Sequence, residues 1–208
     1  MVKTVYVEKK PDILKAATAL FSKNGYHAVG VDSIVAASNV AKMTFYKYFP
    51  SKEYLIEQVL EKRDGDLRES IYAAMKNKRS PQTKIKALFD WYEAWFNTSD
   101  YYGCMFIKAS DEFPNIGGRI KAISKAHKLW LEGVLDELLQ EMAVKAHTSL
   151  AIAIMVMLDG LTVRTNMIDF NEAEIKGLMR ASWQQVETLI GAPITPHKPV
   201  TPWPPKEK

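Results

Sequence analysis

Apolar residues recur at three- and four-residue intervals through most of the chain, and no segment alternates in the manner of a strand. The pattern predicts an all-α fold of about nine helices. Ile13, Leu14, Ala17, Leu20 and Phe21 form one face of a first helix opening near Pro11. Proline suits a first helical turn, and Asp12 favours the positive end of the dipole. Asn24-Gly25 is expected to stop this helix with a left-handed cap. Val31, Ile34 and Val35 mark a second helix behind Gly30, and Ser38-Asn39 a tight turn, since Asn readily takes a left-handed conformation. A short helix, Ala41–Phe49, follows and ends at Pro50. Phe45 and Phe49, four apart, anchor it from one side. Ser51 caps a fourth helix over Lys52–Lys78, with Leu55, Ile56, Val59 and Leu60 inward and Gly65 as a weak point.

The second half continues the period. Helices are expected over Pro81–Asn97, from the Tyr101–Phe106 loop to Phe113, and over Arg119–Met142, Ala146–Asp169 and Glu172–Ile190. On Arg119–Met142 the inner face is read as Ile120, Ile123, His127, Trp130, Val134 and Leu138. Four segments result: a basic arm at 1–10, a helix-turn-helix domain at 11–55 with the motif at about 31–50, a helical domain at 56–191, and a Pro-rich tail at 192–208. Lys3, Lys9 and Lys10 of the arm either reach DNA or serve no function. The most apolar run, Leu150–Leu158, falls short of the ~20 residues a bilayer requires.

A hydrophobic content of 47% is enough for a real core. The net charge of +4 is distributed unevenly. Residues 1–55 hold eight lysines against four acidic residues, and the remainder is balanced. The whole excess lies on the first segment, as a polyanion partner requires, although a solvated basic face gives the same count. The single cysteine, Cys104, excludes an intrachain disulfide, and the N-terminus lacks a secretory apolar run. A cytoplasmic protein with no membrane partner is expected.

The chemistry concentrates in AKMTFYKYF. Lys42 and Met43 stand at its leading end, suited to guanine O6/N7 and to a thymine methyl. Thr44, Tyr46, Tyr48 and Lys52 suit phosphates, and Lys47 is open to either role. With the run LFSKNGYHAVGVDSIVAASNVAKMTFYKYFPSKEYL, residues 13–60 resemble the DNA-binding domain of the tetracycline-repressor (TetR) family of bacterial transcription regulators. The sequence departs from that pattern at Asn39, Ala41 and Gly30, where Gly, Ser and a Thr or Ser cap are usual. The resemblance implies a larger C-terminal ligand-binding and dimerisation domain, and a fourth helix that links the two parts.

No catalytic or metal-ligating set is visible: His27, His127, His147 and His197 are scattered, and Cys104 lacks a partner at a recognisable spacing. An enzyme, a metal and a cofactor are therefore not expected. Cys104 reads as a small buried hydrophobe, with an oxidation sensor as the sharper alternative. Trp91, Trp95, Phe106, His127, Trp130, Met155, Asp159 and Arg164 are the candidate lining of an effector pocket, either as a site or simply as core. One short helix reads few base pairs, so a homodimer on a palindromic double-stranded operator is expected. Its interface would be the last two helices, with Leu150–Leu158, Trp183, Val186 and Ile190 as the patch. The resulting expectation is a repressor released by a small apolar or aromatic-compatible effector. The rival is a coactivator or ligand-binding module of the same fold without DNA binding.

Overall fold

The computed structural model describes residues 9–115 and 117–191. The expected tail lies outside them, as does the arm except for Lys9 and Lys10. Those two begin the first helix, Lys9 as N-cap with its ammonium 3.2 Å from Asp12. Among the described residues there are nine α-helices and no strand. They are α1 (Lys10–Asn24), α2 (Val31–Ser38), α3 (Lys42–Tyr48), α4 (Lys52–Met75), α5 (Pro81–Phe96), α6 (Met105–Glu112), α7 (Arg119–Glu141), α8 (His147–Met167) and α9 (Glu172–Gly191).

The ends follow from local chemistry. Ser51 accepts the Tyr54 N–H at 3.1 Å, and Ser80 forms a reciprocal capping box with Thr83. Asn39 takes the left-handed conformation, φ 51° and ψ 46°, which turns α2 into α3. Two expectations are corrected. Gly65 does not interrupt α4, which runs through it from Lys52 to Met75 and is anchored in the core by Leu60 before it and Leu67 after it. Gly25 has φ 80° but ψ 174°, so it ends α1 in an extended turn rather than a left-handed cap.

Two apolar clusters organise the chain. The first gathers Ile13, Ala17, Phe21, Ile34, Phe45 and Phe49 with Leu55–Leu67 of α4, and takes in Met105, Phe106 and Ala109 of α6. The second joins Ile71 and Met75 at the far end of α4 to α5, α7, α8 and α9. Two helices thus belong to both cores: α4, and α7, which gives Ile120 to the first and Leu131, Leu135, Leu138 and Leu139 to the second. On α7 the inner stripe is Ile120, Ser124, His127, Leu131, Leu135 and Leu138. Ile123, Trp130 and Val134 are rotated to the half-buried flank. Trp183 and Val186, expected at an interface, are buried in this chain's own core.

At Gly25 a positive φ and a close approach coincide: an added Cβ would stand 2.8 Å from Glu112 Oε1. Gly30 has φ −82°, and a Cβ there would meet nothing within 4 Å. Gly25→Ala is expected to lower unfolding stability by about 1–3 kcal/mol, and Gly30→Ser to raise it by about a few tenths of a kcal/mol through an N-cap bond. Urea denaturation of both variants checks the opposite signs.

Candidate nucleic-acid interface and effector region

Phe45 and Phe49 of α3 are wholly buried, with ring centroids 5.9 Å apart. That anchoring turns the opposite face of the helix outward. Met43 is 87% exposed and Tyr46 46%, so both are open to a partner on that face. Lys42 and Lys47 are exposed beside them, while Thr44 and Tyr48 are half-buried, Tyr48 against the first cluster. Lys42 Nζ lies 2.7 Å from Asp32 of α2, and donation to that carboxylate raises the ammonium above its ordinary pKa. Lys52 turns the other way and donates to the His27 carbonyl at 3.3 Å. From the sequence, Lys42 and Met43 are expected at base edges, Thr44, Tyr46, Tyr48 and Lys52 at phosphates and Lys47 in either role; the structure exposes Lys42, Met43, Tyr46 and Lys47 together and leaves Thr44 and Tyr48 half-buried beside them. The sequence reading missed the Asp32 partner, which lies ten residues away on another helix.

Helix α6 holds the helix-turn-helix unit from behind. The Glu112 carboxylate accepts the Tyr26 N–H at 2.9 and 3.0 Å and the His27 N–H at 2.6 Å. The His27 ring donates through Nε2 to the Glu112 carbonyl at 2.8 Å. Tyr26 donates its phenol to Met105 O at 2.9 Å, and Lys108 donates to Ser22 O at 2.7 Å. Burial, with Cys104 and Glu112 nearby, raises the Tyr26 phenol far above its ordinary pKa, so it remains a donor. No local pattern reveals these bonds, because the partners are about eighty residues apart.

The expected effector residues do not line one cavity. Phe106 stacks on His127 at 3.9 Å, with their planes 12° apart. His127 Nδ1 lies 2.8 Å from Asp64, which also accepts from Arg68 Nε at 2.9 Å. The Arg68 guanidinium covers the Trp130 ring at 4.4 Å, and Trp130 donates to Tyr72 OH at 3.1 Å. Met155 is buried in the second cluster. Asp159 pairs with Lys128, and Arg164 sits 5.8 Å from the Phe170 ring. A void of about 10 Å³ remains between Trp91, Tyr92, Cys104, His127 and Lys128, room for about one water. Cys104 is buried there as the N-cap residue of α6. Trp91 and Trp95 also face a much larger cleft of about 1010 Å³ between α1, α4 and α5.

Residues 13–59 match the family model described as bacterial regulatory proteins, tetR family. The chain is 26% identical over 151 residues to the transcriptional activator FasR of Mycolicibacterium smegmatis, covering 71% of this chain and 66% of FasR. It is 31% identical over 93 residues to the transcriptional repressor DhaR of Mycobacterium sp. strain GP1, covering 45% of this chain and 46% of DhaR. The aligned parts thus span just under two thirds of the first relative and under half of the second. A TetR-family transcriptional regulator from Streptomyces coelicolor shares the fold with a TM-score of 0.80 at 22% identity, over 88% of this chain and 94% of that one.

His127 yields a pH prediction. Burial pushes its imidazole down to about 4, against the opposing effect of the bond to Asp64, so the ring is neutral at pH 7 and Nδ1–H donates. Burial alone would raise the Asp64 carboxyl, but donation from Arg68 and His127 outweighs it and holds the pKa below the ordinary value. Unfolded, His127 titrates near 6.5. Between the two values the unfolded chain binds the extra proton, so stability is complete above about pH 6.5 and falls as pH drops towards 4, by on the order of 3 kcal/mol. His127→Gln keeps a donor without titrating. Its denaturation midpoint is expected to vary less over that window than the parent's.

Proposed function

The chain belongs to the tetR family of bacterial regulatory proteins, and we propose that it acts as a homodimeric, effector-responsive repressor of transcription. It is a helix-turn-helix, DNA-binding transcription regulator and not an enzyme. The observation that carries the finer reading is the outward face of α3, where Met43 stands 87% exposed between Lys42 and Lys47. In our reading α3 enters the major groove with its leading end first. Lys42 exchanges Asp32 for a guanine edge and Met43 packs on a thymine methyl. Tyr46, Thr44, Tyr48 and Lys47 supply phosphate contacts or their support. Lys52 has its ammonium on the His27 carbonyl and acts by steadying the motif. DNA as partner makes the cytoplasm the working location.

The dimer reading rests on α8 and α9. Ile152, Val156, Val163 and Met167 form an exposed apolar stripe along α8, and Ile168 and Leu189 extend it. The face of α8 opposite, with Leu150, Ile154, Leu158 and Leu161, is already in the core. α8 is 21 residues long and apolar enough to match a membrane span, but one face is committed to the core and the other carries the stripe. Two copies packed there would present two α3 helices to successive major grooves ~34–36 Å apart. FasR is named an activator and DhaR a repressor, so relatives act in both directions. Repression is the direct result of a dimer occupying promoter DNA.

Two measurements test this. Lys42→Ala is expected to weaken binding to the DNA upstream of its own gene by ~1–3 kcal/mol and to relax preference at one base pair. Equal losses on that fragment and on random DNA, by fluorescence anisotropy, would make Lys42 a phosphate contact. Val156→Glu is expected to convert a dimer to a monomer in light scattering at micromolar concentration, while leaving the helical signal intact. A monomeric parent protein would remove the dimer from the proposal.

A further inference from the structure

We propose that the cleft between α1, α4 and α5 is a binding site for an amphiphilic carboxylate, a small molecule with an apolar body and an anionic head. This rests on the effector-responsive reading and gives it a place and a ligand class. The cleft holds about 1010 Å³, at the upper end of the range for small-molecule sites. Its floor is apolar. Trp91 and Trp95 lie 5.6 Å apart with Met105 beside them, and the indole N–H of Trp91 is fixed on Ser70 Oγ at 2.8 Å.

The walls are cationic. Lys15 and Lys23 of α1 and Arg63 of α4 line the cleft, and among the described residues none of them has an ion-pair partner. Lys62 is neutralised by Asp66 at 2.6 Å, which leaves Asp100 as the one acid facing three cations. An apolar body laid on the two indoles would cover surface now open to water, and a carboxylate would compensate the walls. A neutral ligand answers only the floor and an inorganic anion only the walls. The combination selects an amphiphile with a negative head.

The position links this site to the DNA-binding unit. One wall is α1, which carries the helix-turn-helix, and the other is α4 and α5. Occupancy therefore acts on the spacing of α1 against α5, and it shifts DNA affinity by as much as the ligand prefers one spacing over the other.

Dodecanoate, kept below its micellar concentration, is the probe, titrated calorimetrically into the full chain beside dodecyltrimethylammonium. We expect one dodecanoate per chain and binding at least tenfold weaker for the cation of equal chain length. Arg63→Gln is expected to weaken dodecanoate tenfold or more. Ala94→Trp and Ala19→Trp, both exposed in the cleft, are expected to abolish its binding with melting temperatures unchanged. Equal binding of both amphiphiles, no dodecanoate binding, or binding undisturbed by the two tryptophan variants would overturn the proposal. DNA binding of the ligand-free protein is measured alongside. Specific DNA binding without dodecanoate binding removes the cleft site alone, and dodecanoate binding without specific DNA binding removes the regulator reading alone.

Discussion

The position of the helix-turn-helix unit, and of α3 within it, depends on one carboxylate. Glu112, at the end of α6, accepts two backbone N–H groups, that of Tyr26 shared between both carboxylate oxygens and that of His27 on one of them. Those donors belong to the turn after α1, where a helix has just ended and the backbone has no helical partner to offer. Bonds to a charged acceptor are worth about 1.5–3 kcal/mol each in net terms, more than the exposed contacts elsewhere at the same junction. Arg119 spans α7 and α4 by pairing with Glu57 and Glu61, but its side chain is 63% exposed. Pairs of that kind contribute about 0–1 kcal/mol. The Glu112 clamp, backed by Tyr26 on Met105 and Lys108 on Ser22, therefore sets where α1 sits, and α2 and α3 follow through the shared core.

That arrangement explains how a helix as short as α3 can present so much exposed apolar and cationic surface. Seven residues do not hold a helix in water by themselves. Phe45 and Phe49 supply the stability from beneath, and Asn39 sets the angle of entry without needing a glycine. Because the anchors carry the fold, Met43 and Tyr46 are free of structural duty. The Lys42–Asp32 pair is fully on the surface, so exchanging Asp32 for a DNA acceptor costs little in folding stability.

The sequence was most legible where its information is local. Helix existence and order could be read from periodicity, and the ends at Ser51, Ser80 and Asn39 from residues whose side chains or backbone preferences act within four positions. The α3 face could be read for the same reason, since Phe45 and Phe49 fix its rotation. Long-range chemistry was not legible. Glu112 reads as an ordinary surface acid, and Asp64, Arg68 and His127 as separate charges on separate helices, until folding brings them together. Trp183 and Val186 were assigned to an interface because an apolar helix face looks the same whether its partner is this chain or another. The effector residues were chosen by composition, and composition does not distinguish rings that fill a core, as Phe106 and His127 do, from rings that line a cleft, as Trp91 and Trp95 do.

Helix α4, which like α7 spans both cores, limits what a signal in this molecule can consist of. Its first half belongs to the core that holds α3, and its last turns to the core of α5, α7, α8 and α9. Close-packed cores deform little, so a disturbance at one end of α4 moves the helix rather than compressing its neighbours. The contacts that yield are those on its exposed side to α7, Arg119 with Glu57 and Glu61, each weak enough to re-form in another register. Those that do not yield are the Glu112 bonds, which tie α1 to α6. Any motion that reaches α3 must then carry α1, α6, the helix-turn-helix and the first half of α4 as one body against α5. The surface along which that body would slide is the cleft floored by Trp91 and Trp95.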